Sequence, residues 1–265
     1  MRLQRMRISA LIVLALVAAL ALVPFPTLPY TTGFAPHWVT VLAAALGAIF
    51  VMKPHPAGLL PAVLLLWSAG GIVLDGFRAF FAVTGIPAGD FARVDWPGMA
   101  LRGLSLTGCA LLGAVLLPRL RVPGGAWPGY GAFAIGFVYP MAKLYWSAGG
   151  TLLRPMGYDE GFPAGELVML LIGAVGSLAL VQRWGRWLPR RLVLTGGWAG
   201  AAMLTTMGAM SVFGTLSQLL GLTEGPVPLS DPAAVVTVGL VYGSWLLFGL
   251  AVGAATLSYQ RATPR

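Results

Sequence analysis

Apolar runs of about twenty residues recur along this chain, and prolines, glycines and most of the charges fall between them. A run of that length is what a helix needs to cross the ~30 Å hydrocarbon core of a bilayer. Eight are read, at about 8–28, 35–52, 58–82, 97–117, 128–149, 165–182, 192–219 and 232–258. Composition agrees. Of 265 residues, 58% are hydrophobic and 9% charged, against roughly 25% charged in an average soluble domain. So few charges cannot coat a water-facing surface, which excludes a cytosolic enzyme, a nucleic-acid-binding module and a disordered chain. The expected fold is all-α: one polytopic integral membrane domain over residues 1–265, with membrane lipids as its surroundings.

The charges orient it. Arg2, Arg5, Arg7, Lys53, Arg119, Arg121, Arg183, Arg186, Arg190, Arg191, Arg261 and Arg265 all fall on the N-terminal side of the eight spans, and no acidic residue does. The opposite loops hold Asp90, Asp95, Asp159, Glu160, Glu224 and Asp231 with only Arg93 and Arg154, and Glu166 opens span 6 on that side. Bases collect in cytoplasmic loops, so both termini are expected in the cytoplasm. The same rule explains the net charge of +9 without any nucleic-acid partner. Met1–Arg7 and the apolar run after it have the shape of a signal peptide, with Ala19-Leu20-Ala21 as a cleavage site; the seven spans that follow favour an uncleaved first span.

Packing signals are frequent. GxxxG pairs at Gly196/Gly200, Gly239/Gly243 and Gly249/Gly253 would let helices approach closely in lipid. A Trp-Ser-Ala-Gly-Gly string occurs at 67–71 and again at 146–150, at different depths in spans 3 and 5. The segment from Arg183 to Arg191 interleaves arginine with tryptophan, a pattern suited to anionic headgroups and equally to a plain topology loop.

Motifs of soluble chemistry are absent. The sequence has no phosphate-binding P-loop, no GxGxxG, no CxxC, no HExxH and no GxSxG, and so implies no cofactor. Its one cysteine, Cys109, lies in an apolar run, and its two histidines, His37 and His55, fall on opposite sides of the membrane, so no metal site is expected. What remains is Asp75, Arg78, Arg102 and Lys143 within the spans. A charge at mid-membrane costs roughly 2.5–3.5 kcal/mol on insertion scales, so such residues point to function and demand a partner. Asp95 and Pro97 open span 4 as cap and first turn, which puts Arg102 about 8–10 Å below that end; Lys143 lies about 9 Å below the end of span 5. Asp75 and Arg78, three apart on one helix face, are expected to pair. Arg102 and Lys143 would then give a net-basic pocket near the outer surface, with Tyr139 and Trp146 sharing the Lys143 stripe. The competing expectation is that Arg102 and Lys143 snorkel to the headgroups. A Lys143/Ser147 dyad is a further, weaker reading.

From Tyr139-Pro140 through Lys143 and Trp146 to Gly149-Gly150, and again at Arg183-Trp184-Gly185-Arg186 and Pro189-Arg190-Arg191, the sequence resembles a group of actinobacterial multi-pass membrane proteins. They carry a YPxxKxxWxxGG-like span and an RWGRxxPRR-like loop. The resemblance implies a bacterial plasma (inner) membrane protein and brings no activity, substrate or cofactor. Three functions then compete: transport or binding of an anionic or amphipathic small molecule or lipid headgroup, an embedded enzyme acting on a lipid-like substrate, and a non-catalytic subunit of a membrane assembly with a membrane protein partner. The first needs only the residues seen. Topology is directly testable: reporter fusions after Thr84 and Pro155 should read external and those after Lys53 and Arg186 internal, and an internal reading at Thr84 refutes the map.

Overall fold

The computed structural model describes residues 2–25, 28–31, 33–119, 125–154 and 164–263, and among them every regular element is helical. Five helical stretches are long and apolar enough to cross a membrane: Leu3–Ala21, Pro56–Thr84, Trp96–Arg119, Arg190–Leu219 and Pro232–Ala262. Two shorter apolar helices are His37–Met52 and Leu167–Ala179. The chain divides into two compact units, Met1–Arg121 with Leu220–Gly225, and Val122–Leu219 with Pro226–Arg265.

In the first unit, α1 (Arg2–Ala21), α2 (His37–Met52), α3 (Leu59–Ser68) and α5 (Trp96–Leu116) pack together. α1 buries Ala10, Leu14, Val17 and Ala21, steps of four, three and four that keep one face inward. Its other faces expose Ile8, Ile12 and Leu16. An apolar outside around an apolar core suits a helix in lipid, where the outer face meets hydrocarbon.

The sequence expected one continuous helix over 58–82. Instead α3 stops at Ser68 and α4 (Ile72–Thr84) starts afresh after Gly71, whose φ of +89° favours glycine. Packing enforces the choice, because a Cβ on Gly71 would overlap the Phe34 ring. The second Trp-Ser-Ala-Gly-Gly string behaves alike: α7 (Val138–Ser147) ends at its serine, and Gly149 follows at +91°. Both copies therefore end a helix at their serine, with the left-handed glycine at the fifth residue of the first copy and the fourth of the second.

In the second unit, the expected span at 128–149 is also two helices, α6 (Trp127–Ile135) and α7. Pro140 explains the interruption: it offers no N–H to the carbonyl of Gly136, so the ladder lapses there. α8 is Ala164–Ala179, and α9 (Arg190–Leu219) is a long helix that seats its own hydroxyls. Thr205 donates to the Ala201 carbonyl, Thr206 to Ala202 and Thr215 to Ser211, so these three hydroxyl hydrogens are satisfied within the helix. The last run is α10 (Pro232–Val236), capped by Asp231 through Ala233 N–H, then a π turn at Thr237–Tyr242, then α11 (Ser244–Ala262). The π turn frees Thr237 to donate to the Leu153 carbonyl at 2.6 Å.

α9 and α11 form the tightest contact of this unit, and glycines set it. A Cβ on Gly249 would stand 2.6 Å from the Thr205 nitrogen, and one on Gly208 would overlap the Leu246 backbone. Of the pairs expected to mediate close approach, Gly249/Gly253 does face α9, whereas Gly196 and Gly200 look into open space. Gly197, between them, abuts Thr256 instead. The two kinds of glycine should respond to alanine with opposite signs. Gly200→Ala should stabilise by about 0.5–1 kcal/mol through helix propensity, whereas Gly208→Ala should destabilise by about 1–3 kcal/mol through overpacking. Thermal unfolding in nanodiscs reads both, and equal shifts would refute the α9–α11 contact.

Candidate functional site

Local chemistry builds the charged cluster of the first unit. Asp95 caps α5, accepting from Gly98 N–H at 3.0 Å, and Pro97 fills the first turn as the sequence suggests. Seven residues on, two turns further along α5, Arg102 reaches back to that cap and gives Nη2 to Asp95 Oδ2 at 3.1 Å. Its Nε donates to Asp75 Oδ2. Asp75 lies in the first turn of α4, where the unpaired N–H groups of a helix start favour a carboxylate. Its other oxygen, Oδ1, accepts from the Tyr30 hydroxyl at 3.0 Å. Tyr30 in turn accepts from Asp95 N–H at 2.9 Å, which closes the ring.

Asp75 is thus fully buried with both oxygens engaged, and its partner is Arg102 and not Arg78. The break at 69–71 accounts for the difference: it places Asp75 at the head of a new helix, beside α5 and the Tyr30 turn. Arg78 lies over the Tyr30 ring at 3.8 Å and the Phe91 ring at 4.6 Å, and gives Nη1 to the carbonyls of Asp90, Phe91 and Arg93. Cation–π contact and carbonyls do the work that a carboxylate was expected to do. Two acids and two arginines share this cluster, so in the first unit it is balanced and not net basic.

Burial, helped by the charge of Asp75, pushes the Tyr30 phenol above its ordinary value of 10.0, against the opposing pull of Asp95 N–H. The hydroxyl therefore remains a donor at every physiological pH. Nearby, Asp90 and Arg93 pair at 3.6 Å on an exposed turn, a contact worth about 0–1 kcal/mol.

A cavity of about 180 Å³ adjoins the cluster. Arg102, Asp95, His37, Thr40 and Ser68 supply its polar lining, and Phe25 and Phe34 part of its apolar wall. Thr40 donates to Ser68 Oγ at 3.0 Å, and Ser68 to the Leu64 carbonyl at 2.9 Å. His37 opens α2, whose N-terminus has no side-chain cap, and its Nδ1 is 3.0 Å from the Ala21 carbonyl. A carbonyl can only accept, so Nδ1 is the donor in this contact. Tyr30 and Phe34 escaped the sequence reading, and His37 entered it only as a metal ligand to be excluded. Tyr30 and Phe34 lie in the short α1–α2 connection, where nothing in spacing distinguishes them from ordinary loop residues.

The second unit holds the other three expected residues. Tyr139, Lys143 and Trp146 do share one buried face of α7. Lys143 Nζ is 5.6 Å from the Tyr139 ring centre, and Trp146 Nε1 donates to the Leu152 carbonyl at 3.0 Å. Tyr139 also packs against Tyr242 and Trp245, which the π turn brings in. The expected rim acids Asp159 and Glu160 lie outside the described residues. No family model matches this chain, and no curated protein or solved structure does either.

The network implies a ranking. Arg102→Gln leaves two carboxylates without a cation and should cost about 3–5 kcal/mol, the range for a broken buried pair. Tyr30→Phe removes two hydrogen bonds, one to the buried Asp75 carboxylate and one from Asp95 N–H, and should cost about 1–3 kcal/mol. Asp75→Asn should recover part of the Arg102→Gln loss in the double variant, while Asp75→Asn with Arg78→Gln should be additive. Melting temperatures of the purified variants measure this, and rescue by Arg78→Gln alone would overturn the pairing.

Proposed function

We propose that this chain is an eight-span protein of a bacterial plasma membrane, with both termini cytoplasmic, and that the outer end of its first unit binds a small anionic solute or lipid headgroup for uptake or export. The reading of eight spans is supported by the helical content of each apolar run and by the one-sided distribution of its bases.

The observation that carries the binding reading is the cavity beside Arg102. Arg102 commits Nε and Nη2 to its carboxylates, and among the described residues Nη1 has no hydrogen-bond partner. The first turn of α2 borders the same cavity through His37 and Thr40 and has no side-chain cap. Asp95 also lines the space, but both of its oxygens are occupied by Gly98 and Arg102. What the cavity presents to an anion is the Arg102 Nη1 edge, since the Thr40 and Ser68 hydroxyl hydrogens are already given to Ser68 Oγ and the Leu64 carbonyl. Its volume, below the ~300–1,000 Å³ of most ligand pockets, suits an anionic group and not a whole lipid. Asp75 argues against an acid–base enzyme, because both of its oxygens are held and it has no exposed surface.

Thermal unfolding in phosphatidylcholine nanodiscs, titrated with inorganic phosphate, acetate or choline, tests this. A bound anion at a hundred times its Kd stabilises by about 2.7 kcal/mol, so phosphate or acetate should raise the Tm by several degrees and choline should not. Thr40→Leu, which fills the cavity, and the milder Ser68→Ala should abolish or reduce the shift. A response to choline alone, no response to either anion, or an unaltered shift in both variants would refute the reading.

A further inference from the structure

We propose a second ligand site, in the second unit: a binding place for one anionic phospholipid, its headgroup at Arg186 and one acyl chain in a groove between α8 and α9. It is independent of the solute site proposed for the first unit.

The headgroup end is a cavity of about 180 Å³ bordered by Arg186, Gln182, Ser258, Tyr259 and Thr263. Hydroxyls, a carboxamide and a guanidinium make a lining able to hold a phosphate. Arg183 and Arg186 occupy one short turn, Arg190 and Arg191 open α9, and Arg261 lies in the last turn of α11. Among the described residues none of these five arginines meets a carboxylate. Arg190 is spent on the Thr263 carbonyl and hydroxyl, which ties the start of α9 to the end of α11 and holds that wall of the cavity in place. Among the described residues no carboxylate balances the other four. Anionic headgroups attract such bases in the cytoplasmic leaflet, where the distribution of bases puts this loop.

The apolar end is a groove of about 330 Å³ lined by residues that include Ile172, Gly176, Leu192, Gly196, Gly200 and Leu204. Ile172 and Leu192 are 66% and 62% exposed, and a Cβ on Gly176, Gly196 or Gly200 would meet nothing within 4 Å. These glycines do not seat a neighbouring helix; they hollow the surface. Leu180 borders both the groove and the arginine cavity, and Trp184 lines the groove within the arginine turn. Trp184 is held by donating to Gln182 Oε1 at 2.6 Å, and Trp187 is 87% exposed, the placement of an interfacial aromatic. An apolar slot that shares the Leu180 wall with a basic, hydroxyl-lined cavity beside interfacial tryptophans has the polarity profile of a phospholipid. Charge complementarity selects an anionic one.

A topology loop alone would hold its arginines in water and bind nothing saturably, so the two explanations separate by experiment. The full-length protein, purified in neutral detergent, is titrated with phosphatidylglycerol, phosphatidylcholine or soluble glycerol phosphate, and retained lipid is counted by native mass spectrometry. One phosphatidylglycerol should bind saturably, at least tenfold tighter than phosphatidylcholine. Arg186→Gln should weaken it about tenfold and Arg186→Lys less. Gly200→Leu, whose side chain enters open space and so leaves the fold intact, should weaken it by filling the groove. Thr40→Leu in the first unit should leave it unchanged, which separates this site from the solute site. Equal retention of the two lipids would overturn the proposal. So would unaltered retention in both Arg186→Gln and Gly200→Leu. Glycerol phosphate competing fully, with Gly200→Leu silent, would overturn the lipid in favour of a soluble phosphate.

Discussion

A carboxylate taken out of water must find its partners within a few ångströms, and Asp75 finds them on segments far apart in sequence. Tyr30 comes from the α1–α2 connection and Arg102 from the second turn of α5, while Asp75 itself stands in the first turn of α4. Leaving such a charge unpartnered costs several kcal/mol, so the cluster forms as a whole or hardly at all. Much of the first unit follows. The helix over 59–84 must break so that Asp75 stands at a helix start; Gly71 must be glycine so that Phe34 can pack against the break; and Phe34 then lies under the Arg102 guanidinium at 5.1 Å. Asp95 serves twice, as the cap of α5 and as the second carboxylate of Arg102.

Helix positions were legible because they depend on local pattern. The runs around α1, α2, α5 and α9 could be placed from hydropathy, and Asp95 with Pro97 as a helix start from capping chemistry alone. Pairing was not legible. The i,i+3 rule joined Asp75 to Arg78 because sequence reveals neighbours along one helix and hides those on the next. A break that turns one span into two helices changes which neighbour wins. Gly70-Gly71 and Pro140 were visible as interruptions, yet a glycine pair in an apolar run is compatible with a straight helix as well. The stripe of Tyr139, Lys143 and Trp146 survived because it needs only one helical turn after another. Its aromatic surroundings, Tyr242 and Trp245, depend on a π turn that no periodicity marks.

Glycine shows how one residue type does opposite work on one helix. In lipid, apolar side chains gain little by leaving their surroundings, so helices associate through close van der Waals contact, which small residues permit. Gly208 and Gly249 do this between α9 and α11, where backbone meets backbone. Gly196 and Gly200, which carry the motif most associated with close approach, face no helix. The spacing of four places two glycines on one face, but it does not decide whether that face meets protein or lipid. Gly197, off the motif, is the one pressed against Thr256.

Arginine divides in the same way, and the division indicates where ligands belong. Arg102 sits in a closed ring with two carboxylates, so its charge is balanced by the protein, and an incoming anion meets the remaining Nη1 edge. A small solute bound there would gain from geometry more than from net charge, and its affinity should depend weakly on ionic strength, because a buried pair is little screened. The arginines of 183–191 have no such balance among the described residues. An anion recruited there supplies the missing charge itself at a hydrated surface, and its affinity should fall as salt rises. A salt titration of the two binding events therefore discriminates between them without any substitution. Phosphatidylglycerol retention should weaken severalfold between 50 mM and 500 mM salt, while the stabilisation by phosphate or acetate should change little once competition by the added anion is corrected. Equal salt dependence of the two would mean that the Arg102 ring opens to solvent on binding, and the closed network would then describe only the empty protein.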